Sequence, residues 1–175
     1  MLSRRQPNGH VDYSFSPRLA LEHSDVASVK ALGWCPFRRG LLATGGGQTD
    51  QTIKLWETDR GKLRSSTHTG SQVSAVIWSN HGRELCSSHG YYENQLSVWK
   101  FGEGSSLTKV RDLKSHTQRI LSMVGSPDGS TVASASADES LQFWNVFGPS
   151  PNAPKSRRPV VMPIGELTFG MPPIR

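Results

Sequence analysis

What this chain lacks excludes several functions before any motif is read. It has two cysteines in 175 residues, Cys35 and Cys86, far apart and in unrelated contexts, so it offers neither a disulfide framework nor a metal-type spacing. That usage fits a reducing compartment. No run of eighteen apolar residues occurs, and 35 % hydrophobic content is enough for a core but not for a membrane span. The charged start MLSRRQPNGH leads into no apolar stretch of the secretory kind, so the nucleus and cytoplasm are the expected address. Paired catalytic acids and a serine elbow are absent, and His68, His81 and His89 share no ligand spacing. Glycines 45 to 47 fail as a phosphate loop, because no Gly-Lys-Ser/Thr follows and the chain continues as the strand-like QTDQTIKLW. They read instead as a place of close backbone approach. The chain is therefore expected to be no enzyme and to hold no metal or other cofactor.

The net charge of +6 points to nucleic acid only until it is located. Beyond residue 148 stand Lys155, Arg157, Arg158 and Arg175 against Glu166, so about half of the excess lies in a proline-rich tail and the rest of the chain is nearly balanced. No recognition helix or RNA-binding motif accompanies the tail. Neither a nucleic acid nor a membrane is expected as a partner.

What is present is a repeat. Trp56 in IKLW, Trp99 in LSVW and Trp144 in LQFW each close a β-like stretch, 43 and 45 residues apart, the period of four-stranded blades. The third repeat is the clearest. Ile120, Ser122 and Val124 alternate as one strand, Pro127-Asp128-Gly129 makes a turn, Thr131 to Ala135 a second strand, and Leu141 to Trp144 a third. The first repeat has His23 and Asp50 before Trp56. The second, from Thr69 to Trp99, has THTGSQVSAVIW where the others carry their histidine and Glu93-Asn94 where they carry aspartate. It is expected to lose its polar network, at about 1 to 2 kcal/mol, and to lean on Val73, Val76, Trp78, Leu96 and Val98. Gly125 stands where Trp34 and Trp78 stand, so the third blade is expected to pack less tightly.

The set His116, Ser134, Asp138 and Trp144 resembles the hydrogen-bonded tetrad of WD-repeat (WD40) propellers, a structural rather than a catalytic arrangement. The resemblance implies an all-β fold, a partial propeller of about three four-stranded antiparallel blades with a flexible C-terminal tail. Residues 1–22 are assigned to an N-terminal segment supplying the outer strand of a preceding blade, 23–147 to the three blades, and 148–175 to the tail. Since about seven blades close such a ring, three motifs suggest a truncated product or part of a longer protein.

Three longer stretches, VKALGWCPFRRGLLATGGGQTDQTIKLW, TGSQVSAVIWSNHGRELCSSHGYYENQLSVWK and HTQRILSMVGSPDGSTVASASADESLQFWNVF, followed by a terminal Ile174-Arg175, resemble the C-terminal part of the fizzy and fizzy-related activators of the anaphase-promoting complex. That likeness implies a co-activator that recruits degron-bearing substrates such as cyclins and securin to a ubiquitin ligase, with checkpoint inhibitors as further partners. It implies that Gln48, Gln72 and Arg119 read a Lys-Glu-Asn (KEN box) peptide and that Glu139 supplies part of a destruction-box site. It also implies that Ile174-Arg175 docks on a helical-repeat subunit of the ligase core. The chemistry agrees: an arginine fork takes a carboxylate bidentately, and glutamine amides both donate and accept. The alternative is a WD-repeat scaffold for protein assembly in another pathway.

Overall fold

The computed structural model describes residues 20–23 and 28–148. Within them lie eleven strands: β1 (Val29–Trp34), β2 (Leu41–Gly46), β3 (Thr52–Glu57), β4 (Lys62–His68), β5 (Gln72–Trp78), β6 (Glu84–Gly90), β7 (Leu96–Phe101), β8 (Leu107–Leu113), β9 (Ile120–Gly125), β10 (Thr131–Ser136) and β11 (Leu141–Asn145). They pair only with sequence neighbours and only antiparallel, giving sheets β1-β2-β3-β4, β5-β6-β7-β8 and β9-β10-β11. The fold is nearly all-β. Two sheets have four strands, whereas the third has three among the described residues, one fewer than the sequence suggests.

Three innermost strands stack side by side, β1 against β5 and β5 against β9. The glycine run explains how closely they approach. A Cβ on Gly45 would sit 2.5 Å from Val73 Cγ1 and 2.8 Å from Ala31 Cβ, so only glycine lets β2 reach the inner strand of the next sheet. Between the first and second sheets a core forms from Ala43, Leu55, Val73, Val76 and Leu85. Between the second and third, Cys86, Leu96, Val98, Ile120 and Val132 form another.

The middle sheet is thus covered on both faces, and β6 is buried along nearly its whole length, which is why ELCSSHG shows no alternation of apolar and polar residues. Burial pushes the Cys86 thiol up to about 12. The outer faces of the arc are open: Leu32 and Trp34 at one end are 67 % and 63 % exposed, Leu141 and Phe143 at the other 69 % and 74 %.

An aromatic lock joins the first two sheets. Trp78 meets Phe37 and Phe101 edge-on at 5.5 and 5.7 Å between centroids, and its indole donates to the Gly33 carbonyl at 3.0 Å. The third sheet has no equivalent, since the corresponding position is Gly125, where even an added Cβ would stand 3.6 Å from its nearest neighbour, Ile77 Cγ2. Besides the apolar core they share, polar contacts tie it to the second sheet, with Arg111 donating to the Val146 carbonyl at 2.8 Å and His81 to that of Asp128 at 2.6 Å.

Candidate functional site

The tryptophan-capped networks set the frame. In the third sheet His116 Nδ1 lies 3.2 Å from Asp138 Oδ2, so this nitrogen carries the proton. Its Nε2 then accepts from Ser134 Oγ at 2.7 Å, and Ser134 accepts from the Trp144 indole at 2.8 Å. Hydrogen bonds, foremost from the Ser140 hydroxyl, hold the Asp138 carboxyl well below the usual carboxylate range. In the first sheet the chain runs from Trp56 to Thr44, His23 and Asp50. Burial works to raise the Asp50 carboxyl, but the bonds from His23 and Thr52 and the charge of Lys54 outweigh it, and the group sits below its ordinary value.

The second sheet corrects the sequence reading, because its network is present. Trp99 donates to Ser87 Oγ at 2.7 Å, Ser87 bonds His89 Nε2 at 2.7 Å, and His89 Nδ1 meets Ser71 Oγ at 3.1 Å. The imidazole comes from within β6 rather than from the connection before the inner strand, and that connection supplies Ser71, which bonds the ring nitrogen that meets an aspartate in the other sheets. Burial outweighs the opposing charge of Asp112 and brings His89 down to about 4, so it is neutral at pH 7. These networks fix the strand ends and thereby the rim on which β1, β5 and β9 begin.

Each inner strand carries a bulge close to that rim. Val29 and Ala31 pair with adjacent residues, as do Val73 with Ala75 and Ile120 with Ser122, which leaves Lys30, Ser74 and Leu121 as the extra residues. Around these starts lies a cavity of about 170 Å³ that spans all three sheets. Lys30 lines it from β1, Gln72 from β5, Gly90 and Tyr91 from the end of β6, and Arg119, Ile120 and Leu121 from the start of β9. Gln72 is buried as a residue, and its amide, which stays accessible from the cavity, has no hydrogen-bond partner among the described residues. Arg119 Nη1 donates to the Tyr91 hydroxyl at 2.5 Å, and its guanidinium lies 5.5 Å from that ring's centroid. No acid lines the cavity, and neither Lys30 nor Arg119 has an ion pair among the described residues. The chemistry therefore suits an entering carboxylate beside a group that hydrogen-bonds an amide.

The residues singled out from the sequence do not all meet here. Gln72 and Arg119 share the cavity. Gln48 is exposed on the turn between β2 and β3, outside the lining, where its carbonyl accepts from Gln51 Nε2 at 2.9 Å. Glu139 is exposed on the turn between β10 and β11, at the same rim, with a left-handed φ of 63° and no ion pair among the described residues. Ile174 and Arg175 lie outside the described residues. Lys30 and Tyr91 had drawn no notice in the sequence.

Residues 14–57 and 107–145 match the family described as "WD domain, G-beta repeat". The unmatched stretch between them contains three of the four strands of the sheet whose histidine sits on a strand. Among curated proteins, "Cell division cycle 20.1, cofactor of APC complex" of Arabidopsis thaliana is 53 % identical over 135 residues, which is 77 % of this chain and 28 % of that protein. "Anaphase-promoting complex subunit cdc20" of Dictyostelium discoideum is 51 % identical over 76 % of this chain and 26 % of its own length. "WD repeat-containing protein srw1" of Schizosaccharomyces pombe is 44 % identical over 71 % and 22 %. A chain of the solved structure "Crystal Structure of Mitotic Checkpoint Complex" superposes with a TM-score of 0.66 at 43 % identity, covering 69 % of this chain and 36 % of that one. The chain spans less than a third of the length of these curated relatives. With sheets capped by indoles in the WD manner and about half of its aligned residues shared with such proteins, the chain belongs to the cdc20 family of WD-repeat proteins.

Proposed function

We propose that this chain is part of a non-catalytic co-activator of the anaphase-promoting complex, one that holds degron peptides on its rim and docks on the ligase core through Ile174-Arg175. Relatives named as cofactors or subunits of that complex support the coarse role. The observation that carries the finer one is the shared cavity, in which an unpartnered Gln72 amide faces the same space as the Arg119 guanidinium. An extended Lys-Glu-Asn peptide offers a carboxylate for the guanidinium and an amide for the glutamine, and β-propeller rims present such groups on rigid strand ends. Glu139, at the same rim, is suited to the arginine of a destruction-box peptide. Degron-bearing cyclins and securin are the substrates this reading names, checkpoint inhibitors are competing partners, and the nucleus and cytoplasm are the address.

Fluorescence anisotropy with a labelled Lys-Glu-Asn peptide and its triple-alanine version tests the reading. Binding of the first alone, weakened about tenfold or more by Arg119→Ala, is the expected result. Equal affinity for both peptides, or an indifferent Arg119→Ala variant, overturns the peptide role and leaves a WD-repeat scaffold of another assembly. For the tail, recovery of ligase core subunits on the immobilised chain should fall when the last two residues are removed; unchanged recovery refutes the docking role.

A further inference from the structure

The cavity contains more recognition chemistry than Gln72 and Arg119. We propose that Lys30 is a second cation of the peptide site, facing the same carboxylate as Arg119, and that Tyr91 is a positioning residue that presets the Arg119 guanidinium. The inference rests on the peptide reading above and extends it to two residues that neither the repeat pattern nor the comparisons single out.

Lys30 is the extra residue of the β1 bulge, between Val29, which pairs with Gly46, and Ala31, which pairs with Gly45. A bulge of this kind re-aims one side chain out of the strand's alternation. Here the displaced side chain is exposed, borders the cavity and has no hydrogen bond or ion pair among the described residues. On the far wall Arg119 is likewise without an anion, and Gln72 lies on the sheet between them. A ligand carboxylate entering the cavity meets positive charge from two sheets at once, whereas a ligand cation meets none of opposite sign. The site should therefore distinguish a glutamate from a glutamine in an otherwise identical peptide.

Tyr91 has a φ of 72°, a conformation that aromatic residues rarely adopt, and strain of this kind persists only where the surroundings enforce it. What the conformation achieves is visible. The Tyr91 hydroxyl accepts from Arg119 Nη1 at 2.5 Å while its ring lies against the guanidinium. The preceding residue is fitted to the same arginine, because a Cβ on Gly90 would stand 2.9 Å from Arg119 Cβ. One of five guanidinium donors is thereby used to fix the fork, and the others remain for a ligand. An arginine held this way loses less conformational freedom on binding than a free one.

The test uses the 175-residue chain, two peptides that differ only in Glu or Gln within Lys-Glu-Asn, and the variants Lys30→Met, Tyr91→Phe and Arg119→Ala. Lys30→Met should weaken the Glu peptide about 3- to 10-fold and shrink the Glu-over-Gln preference by a similar factor. A merely structural role would weaken both peptides alike and leave the preference untouched. Tyr91→Phe keeps the ring and removes the hydroxyl; it should weaken binding about 2- to 5-fold in the parent chain and have no effect once Arg119→Ala is present. If Arg119→Ala and the Glu-to-Gln change both weaken binding while Lys30→Met leaves the preference intact and Tyr91→Phe adds fully to Arg119→Ala, this inference is overturned and the peptide site stands. If the parent chain does not distinguish the two peptides and Arg119→Ala is silent, both fall together.

Discussion

Two buried residues show how little room this scaffold leaves for substitution. At Gly45 even a methyl group must share space with Val73 and Ala31 on the neighbouring strands, and none of these is the yielding end of a long side chain. Gly45→Ala should therefore cost about 1 to 3 kcal/mol, read as a lower urea midpoint with the slope unchanged; an unaltered midpoint would mean the inner strands can separate freely. His89 makes a different demand. Its folded pKa of about 4 lies below the ordinary histidine value of about 6.5, so between these pH values the unfolded chain binds the extra proton. The contribution is complete above pH 6.5 and is lost as the pH falls toward 4, amounting to roughly 3 kcal/mol over that window. Urea unfolding from pH 7 to 4 should trace this decline, and His89→Gln should flatten it. A variant with the same pH dependence as the parent chain would assign the decline to other groups.

At the level of the sheet, an indole N–H closing onto a serine or threonine recurs three times with different surroundings. Trp99 is buried in the core between the first and second sheets, while Trp144 is only partly buried against the core between the second and third. Trp99→Phe should consequently lower stability by about 2 to 3 kcal/mol and Trp144→Phe by about 1 kcal/mol, judged by thermal or urea unfolding of the two variants side by side; the reverse order would contradict the burial argument. The spacing of those tryptophans and the Pro127-Asp128-Gly129 turn made the strands of the third repeat legible from sequence, since both depend on local chemistry. The second network was not legible. A search along the connection before β5 finds Ser71, and the missing imidazole lies eighteen residues on, brought back by the pairing of β5 with β6. Ser87 and His89 do stand two apart on one strand face, a signal that period-two reading could have caught. Lys30 and Tyr91 escaped for a related reason: a bulge exists only in the register between strands, and a left-handed backbone leaves no mark in residue type unless glycine takes the position.

The molecule as a whole is an arc whose middle sheet is sealed and whose two end faces display Leu32 and Trp34 on one side and Leu141 and Phe143 on the other. Apolar faces of this kind favour association when nothing covers them. Sedimentation velocity of the 175-residue chain should accordingly reveal larger species as concentration rises, and the pair Leu141→Lys with Phe143→Lys should suppress them; a strictly monomeric parent chain would refute the expectation. The sealed middle also supplies a clock. Cys86 is wholly buried among apolar neighbours, and with its thiol pushed up to about 12 almost none of it is the thiolate that alkylating reagents attack. Modification by iodoacetamide must then wait for the neighbouring sheets to part, so the rate at which Cys86 is labelled tracks the fraction of time the arc stands open, and at saturating reagent the opening rate itself.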